Sequence, residues 1–151
     1  MSPRILIGRL ALAASVGAFI ACGGGAERAA DTAAAAAGET PRVEIMSPAD
    51  GDSVSPPFTV RLAAFGVEVV PATGMLEAGK GHHHLVIGDV PVTDSLPLPG
   101  APIVIHLGTG GSEHVIESLP PGPHRIIAIF ATGDHVPMAG AGRDTVTVIV
   151  R

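Results

Sequence analysis

Thr145-Val146-Thr147-Val148-Ile149-Val150 puts Val146, Val148 and Val150 on one side of an extended chain and Thr145 and Thr147 on the other. Successive side chains of a strand point to opposite faces, so this run reads as a half-buried strand with its valines inward. Phe58-Thr59-Val60-Arg61-Leu62 repeats the pattern, with Val60 and Leu62 inward, and Arg42-Val43-Glu44-Ile45-Met46 alternates as well. Ser47-Pro48-Ala49-Asp50-Gly51-Asp52 supplies turn chemistry, with Gly51 free to take positive φ. His82 to Ile87, Ile103 to Leu107 and Glu113 to Leu119 read as further strands. His124 to Phe130 is apolar on both faces and is predicted to be central. Residues 91–102 carry Pro91, Pro97, Pro99 and Pro102 and read as an irregular loop, while Gly108-Thr109-Gly110-Gly111 reads as a hairpin turn. A further short strand fits near Val67 to Val70. About seven short strands with frequent turn signals and no amphipathic helical window predict an all-β domain, an immunoglobulin-like β-sandwich. It spans residues 41–151, with an aliphatic core and Phe58, Phe65 and Phe130 as its aromatics.

The chain before this domain has a different composition. Met1 to Ala21 has a short basic start (Arg4, Arg9) and an apolar stretch from Leu10 to Ala21, as in a secretory signal peptide. Phe19-Ile20-Ala21-Cys22 resembles a bacterial lipobox, which predicts lipidation of Cys22 and anchoring in the bacterial cell envelope. Gly23 after the Cys favours the outer membrane in a Gram-negative host. Cys22 is the only cysteine, so no intrachain disulfide forms. Residues 22–40 are rich in Gly and Ala, lack large apolar side chains and read as a flexible tether. Loss of residues 1–21 removes two of nine basic side chains, and the charge becomes 7 − 14 = −7. An acidic chain with no Trp, no Tyr and no basic patch argues against nucleic acid as a partner.

The polar chemistry of the domain is concentrated in imidazole. Lys80-Gly81-His82-His83-His84-Leu85-Val86-Ile87 places His82 and His84 on one strand face and His83 on the other, where it is either packed or exposed. A His-x-His pair on a strand suits copper or zinc, because neutral imidazole is a borderline donor. His106 lies on a strand and points away from the core if Ile105 and Leu107 point into it. His124 begins a strand after a Pro-Gly-Pro turn, and His135 sits in the loop Asp134-His135-Val136-Pro137-Met138. The His-x-x-Met spacing adds a thioether from Met138, which favours Cu(I). His82, His84, His106, His124, His135 and Met138 are therefore the candidate metal ligands, with copper ahead of zinc. His114 has no such context. The alternative is that each His ties a loop to a strand through hydrogen bonds, in a non-catalytic module that contacts another envelope protein.

Gly81-His82-His83-His84-Leu85-Val86-Ile87, then His106-Leu107-Gly108, Leu119-Pro120-Pro121-Gly122-Pro123-His124 and Gly133-Asp134-His135-Val136-Pro137 resemble, in this order, the bacterial domain of unknown function 4399 family. Ser47-Pro48-Ala49-Asp50-Gly51-Asp52-Ser53-Val54 resembles that family's first turn. The resemblance covers about Val43 to Val150 and implies a small secreted β domain, with no activity attached. Gly88 stands where the family's His strand runs into an Asp, and Met138 where it often has a His.

The chain is predicted not to be an enzyme. It has no Gly-x-Ser-x-Gly nucleophile elbow, and the lipid consumes its only thiol. Gly108 to Gly111 lacks the Lys of a phosphate loop. Glu113 and Glu117 share one strand face and do not make a glycosidase pair. Anchoring is tested by Cys22→Ser, which is expected to release the domain from the membrane fraction or block its processing. Mass spectrometry of the wild-type N-terminus showing no acyl group would refute lipidation.

Overall fold

The computed structural model describes residues 38–89, 93–100 and 104–151. Cys22, the expected signal peptide, most of the expected tether and parts of the Pro-rich loop lie outside them. Among the described residues there is no helix, and so none long and apolar enough to cross a membrane. The described residues form nine strands in two sheets. They are β1 (Arg42–Ser47), β2 (Ser53–Val54), β3 (Phe58–Phe65), β4 (Glu68–Val69), β5 (Lys80–Ile87), β6 (Val104–His106), β7 (Glu113–Ile116), β8 (Gly122–Ala131) and β9 (Arg143–Val150). The seven expected strands are all present, the further short strand expected near Val67 to Val70 is β4, and the one addition is β2, of two residues.

The smaller sheet has the order β1-β3-β7, all antiparallel. The larger runs β2-β9-β8-β5-β4, with β6 sharing the free side of β5. Strand alternation makes the two inner faces. Val43 and Ile45 of β1 and Val60 and Leu62 of β3 meet Leu85, Ile126, Ala128, Phe130, Val146 and Val148 of the larger sheet. Asp144 of β9 closes one side of the sandwich by accepting a hydrogen bond from the Ile45 N–H at 2.7 Å. Phe58 and Phe65 are only half-buried; Phe65 carries the Arg42 guanidinium over its ring at 3.8 Å.

The larger sheet departs from a simple sandwich on its outer face. Val86, Val104, Ile127 and Ile129 form a second buried apolar cluster there, with Leu98 packed against it. This is why β8 is apolar on both faces. β5 is buried along the same length, and with it three successive imidazoles: His82 and His83 are 0% exposed and His84 2%. His83 points into the core and meets the Phe130 ring edge-on at 5.3 Å between centroids. Of its two expected settings, packed or exposed, it takes the packed one.

Two predictions follow from this burial. Val148→Asp puts an unpaired carboxylate at a fully buried position and is expected to cost several kcal/mol, on the order of a small domain's whole stability; retention of the wild-type denaturation midpoint would contradict the inward placement of Val148. The second concerns acid. Burial, chiefly, pushes His82 and His83 down to about 4 and His84 to about 3. As pH falls below about 6.5 the unfolded chain takes up these protons first, so stability is complete above that pH and is lost progressively towards pH 4. Chemical denaturation of the metal-free protein between pH 8 and pH 5 is expected to show this loss, with a shallower slope for His83→Leu. A flat profile would mean that the imidazoles are hydrated.

Candidate metal centre

His82 and His84 share the outer face of the larger sheet because they lie two residues apart on β5. His106 of β6 is the direct cross-strand partner of His84. Opposed side chains on one face of an antiparallel pair lie side by side. These two rings stack, with centroids 4.9 Å apart and planes 20° apart. His82 is 4.7 Å from His84 and 4.8 Å from His106 by the same measure.

The fourth imidazole comes from a loop. β8 ends at Ala131, and the chain turns back through a His135 N–H bond to the Thr132 carbonyl and a Thr132 N–H bond to the Val136 carbonyl, both 2.9 Å. The Thr132 hydroxyl shares its proton between Asp134 Oδ1 at 2.5 Å and the Val136 carbonyl at 2.8 Å. The first of these bonds holds the Asp134 carboxyl below its usual range. His135 itself has φ 67°, the one non-glycine residue at positive φ among those described. A left-handed L-residue costs about 1–2 kcal/mol and persists only where its surroundings fix it. Here the Leu98 N–H also bonds the His135 carbonyl, at 2.9 Å. The turn brings the ring to 4.7 Å from His106, 5.0 Å from His82 and 5.7 Å from His84.

Each of the four residues offers a ring nitrogen within 4.8 Å of the others, and no Cys, Asp or Glu of the described residues joins them. Nitrogens held about 2.0–2.1 Å from one ion lie roughly 3–4 Å from each other, so small ring rotations bring the set together. Neither nitrogen of His82 nor Nδ1 of His84 has a hydrogen-bond partner among the described residues. Burial is the main force lowering the His82, His84 and His106 pKa values, and neighbouring imidazoles add to it. These three are therefore neutral at pH 7, the form in which imidazole binds metal. The two nitrogens of His83 lack partners too, but on the opposite face.

Glycines hold the site's shape. A Cβ at Gly108 would run into the His106 ring, and one at Gly133 into the Met75 carbonyl. The first lets the β6 end fold under its own imidazole, and the second lets the Met75 backbone lie against the turn that carries His135. Both glycines stand in the sequence motifs, Gly108 two residues past His106 and Gly133 two before His135, but strand alternation assigns neither of them this steric role.

Two expected ligands lie elsewhere. His124 is half-buried at the far end of β8, and its Nε2–H donates to the Pro120 carbonyl at 2.7 Å. Met138 packs against the inner-face core, across the sheet from the four imidazoles. The Pro-Gly-Pro turn places His124 one strand length from the cluster, and the bend after β8 turns Met138 inward while His135 stays outside. His114 sits on β7 opposite Val60, in the smaller sheet.

Among solved structures, an engineered protein from a structural genomics consortium is similar over 74% of this chain, at 20% identity and a TM-score of 0.45. The endo-beta-1,4-mannanase from Thermotoga petrophila is similar over 75%, at 15% identity and a TM-score of 0.44. The aligned part is 20% of each of those chains, so this chain spans about a fifth of their length. No curated protein matches. Residues 60–151, from β3 through the three elements that supply the imidazoles to the end of β9, match the family described as Domain of unknown function (DUF4399), and the chain belongs to that family.

Proposed function

We propose that this protein binds one transition-metal ion through His82, His84, His106 and His135, with copper preferred to zinc. The reading rests on four imidazoles with ligand nitrogens within 4.8 Å, and on three ring nitrogens, both of His82 and Nδ1 of His84, that are buried and without a partner among the described residues. A buried acceptor without a partner costs about 1–3 kcal/mol. An ion at the centre meets one nitrogen of each ring and removes that cost for His84 and for one side of His82. A hydrogen-bonded scaffold has the opposite signature, and His124 with its Pro120 bond is the example of it in this chain.

Neutral imidazole binds both ions, and the general order of divalent affinities puts Cu(II) above Zn(II). With Met138 on the inner face, the thioether argument for Cu(I) falls away, and the all-nitrogen set favours Cu(II). The role is non-catalytic: storage, delivery or sensing of the ion in the bacterial cell envelope, with the protein tethered through Cys22. An envelope protein that hands over or receives the ion is the partner this role implies.

Calorimetry on protein purified without an affinity tag is expected to show one Cu(II) per chain, and weaker Zn(II) uptake. His82→Ala with His84→Ala is expected to abolish stoichiometric binding with the β spectrum intact, whereas His124→Ala retains it. Absence of uptake by the wild type, or equal loss in His124→Ala, would overturn the assignment.

A further inference from the structure

A cleft of about 560 Å³ opens beside the four imidazoles. Its lining has two chemical parts, the imidazoles of His84, His106 and His135 and an aliphatic part with the side chains of Leu98 and Val104. His82 is not in the lining and is fully buried. An ion bonded to all four rings thus has His82 behind it and the cleft in front. Its volume falls in the range of about 300–1,000 Å³ usual for small-ligand sites.

The chemistry of the two parts differs. On the metal side the ligands are neutral, and no carboxylate of the described residues belongs to the group. A divalent ion held there keeps its full charge in a half-buried place, where an anion interacts with it more strongly than in water. The aliphatic part is firmly seated. Val104 is packed among Val86, Ile127 and Ile129, and Leu98 rests on that cluster with its N–H on the His135 carbonyl.

We infer, resting on the metal reading above, that this cleft takes a small organic monoanion. Its carboxylate or similar oxygen anion coordinates the ion on the open side, and its short hydrocarbon body lies against Leu98 and Val104. The anion offsets the charge that four imidazoles leave uncompensated, and the aliphatic part selects for an apolar body over a bare inorganic ion.

The experiment uses the full chain, with copper uptake measured first and the Cu(II)-loaded protein then titrated with azide, acetate and benzoate. Visible absorption and electron paramagnetic resonance follow the ion. Azide is expected to add a charge-transfer band, and both carboxylates to displace it. Burial of the ring is expected to give benzoate an apparent Kd about tenfold below that of acetate, a ratio that Leu98→Ala reduces to about threefold or less. A copper spectrum indifferent to azide means a closed coordination sphere and sinks the inference while leaving the metal reading in place. Equal affinity for acetate and benzoate, or an unchanged ratio in Leu98→Ala, removes the apolar subsite and sinks it too. Failure of copper uptake overturns the metal reading and this inference together.

Discussion

The two-residue period of β5 is the constraint on which the site and its surroundings depend. It sends His82 and His84 to one face of the larger sheet and His83 to the other. Once two imidazoles stand on the outer face, that face cannot be a plain solvated surface. β6 pairs alongside with His106 opposite His84, the turn after β8 contributes His135, and Leu98 covers the apolar residues that continue the row. A slip of one residue in the β5–β8 pairing would exchange the inner and outer sets. The cost would fall on the core as much as on the cluster, so packing and site geometry lock one another's register.

The division of labour between strand and loop is informative. His82, His84 and His106 sit on paired strands, where backbone hydrogen bonds fix their spacing. His135 is placed by a short turn with a left-handed residue, pinned from outside by Leu98. Three imidazoles on paired strands and one on a pinned turn make a group that is buried at His82 and His84 and open at His106.

Much of this was legible in the sequence because a strand's period is short. Alternation in Phe58 to Leu62 and in Thr145 to Val150 was enough to place Val60, Leu62, Val146 and Val148 inward. It was also enough to put His82 and His84 together and His106 outside the core. What alternation does not encode is which strand ends meet. His124 and His135 both flank β8 and look alike as loop-edge histidines, yet they stand at opposite ends of a ten-residue strand. Met138 was misplaced for a related reason. Its distance along the chain from His135 is helical in character, but the backbone between them bends through a bridge of Pro137 to Ala131. The outer apolar cluster left only the two-faced hydrophobicity of β8 as a trace, since its cover comes from a Pro-rich loop with no period of its own.

Gly108 carries the His106 ring directly against its backbone, with no room for a side chain between them. The two positions are therefore linked in space, and a link in heredity is the expected consequence. The contact predicts that relatives with the imidazole at position 106 in this orientation keep glycine at 108, whereas those without it accept alanine or serine there. Tabulating the two positions jointly across the family would sort its members into those that retain the four-imidazole arrangement and those that have given it up, and independent variation of the two would count against the steric link. The glycine, chemically inert itself, becomes the heritable mark of a ligand two residues away.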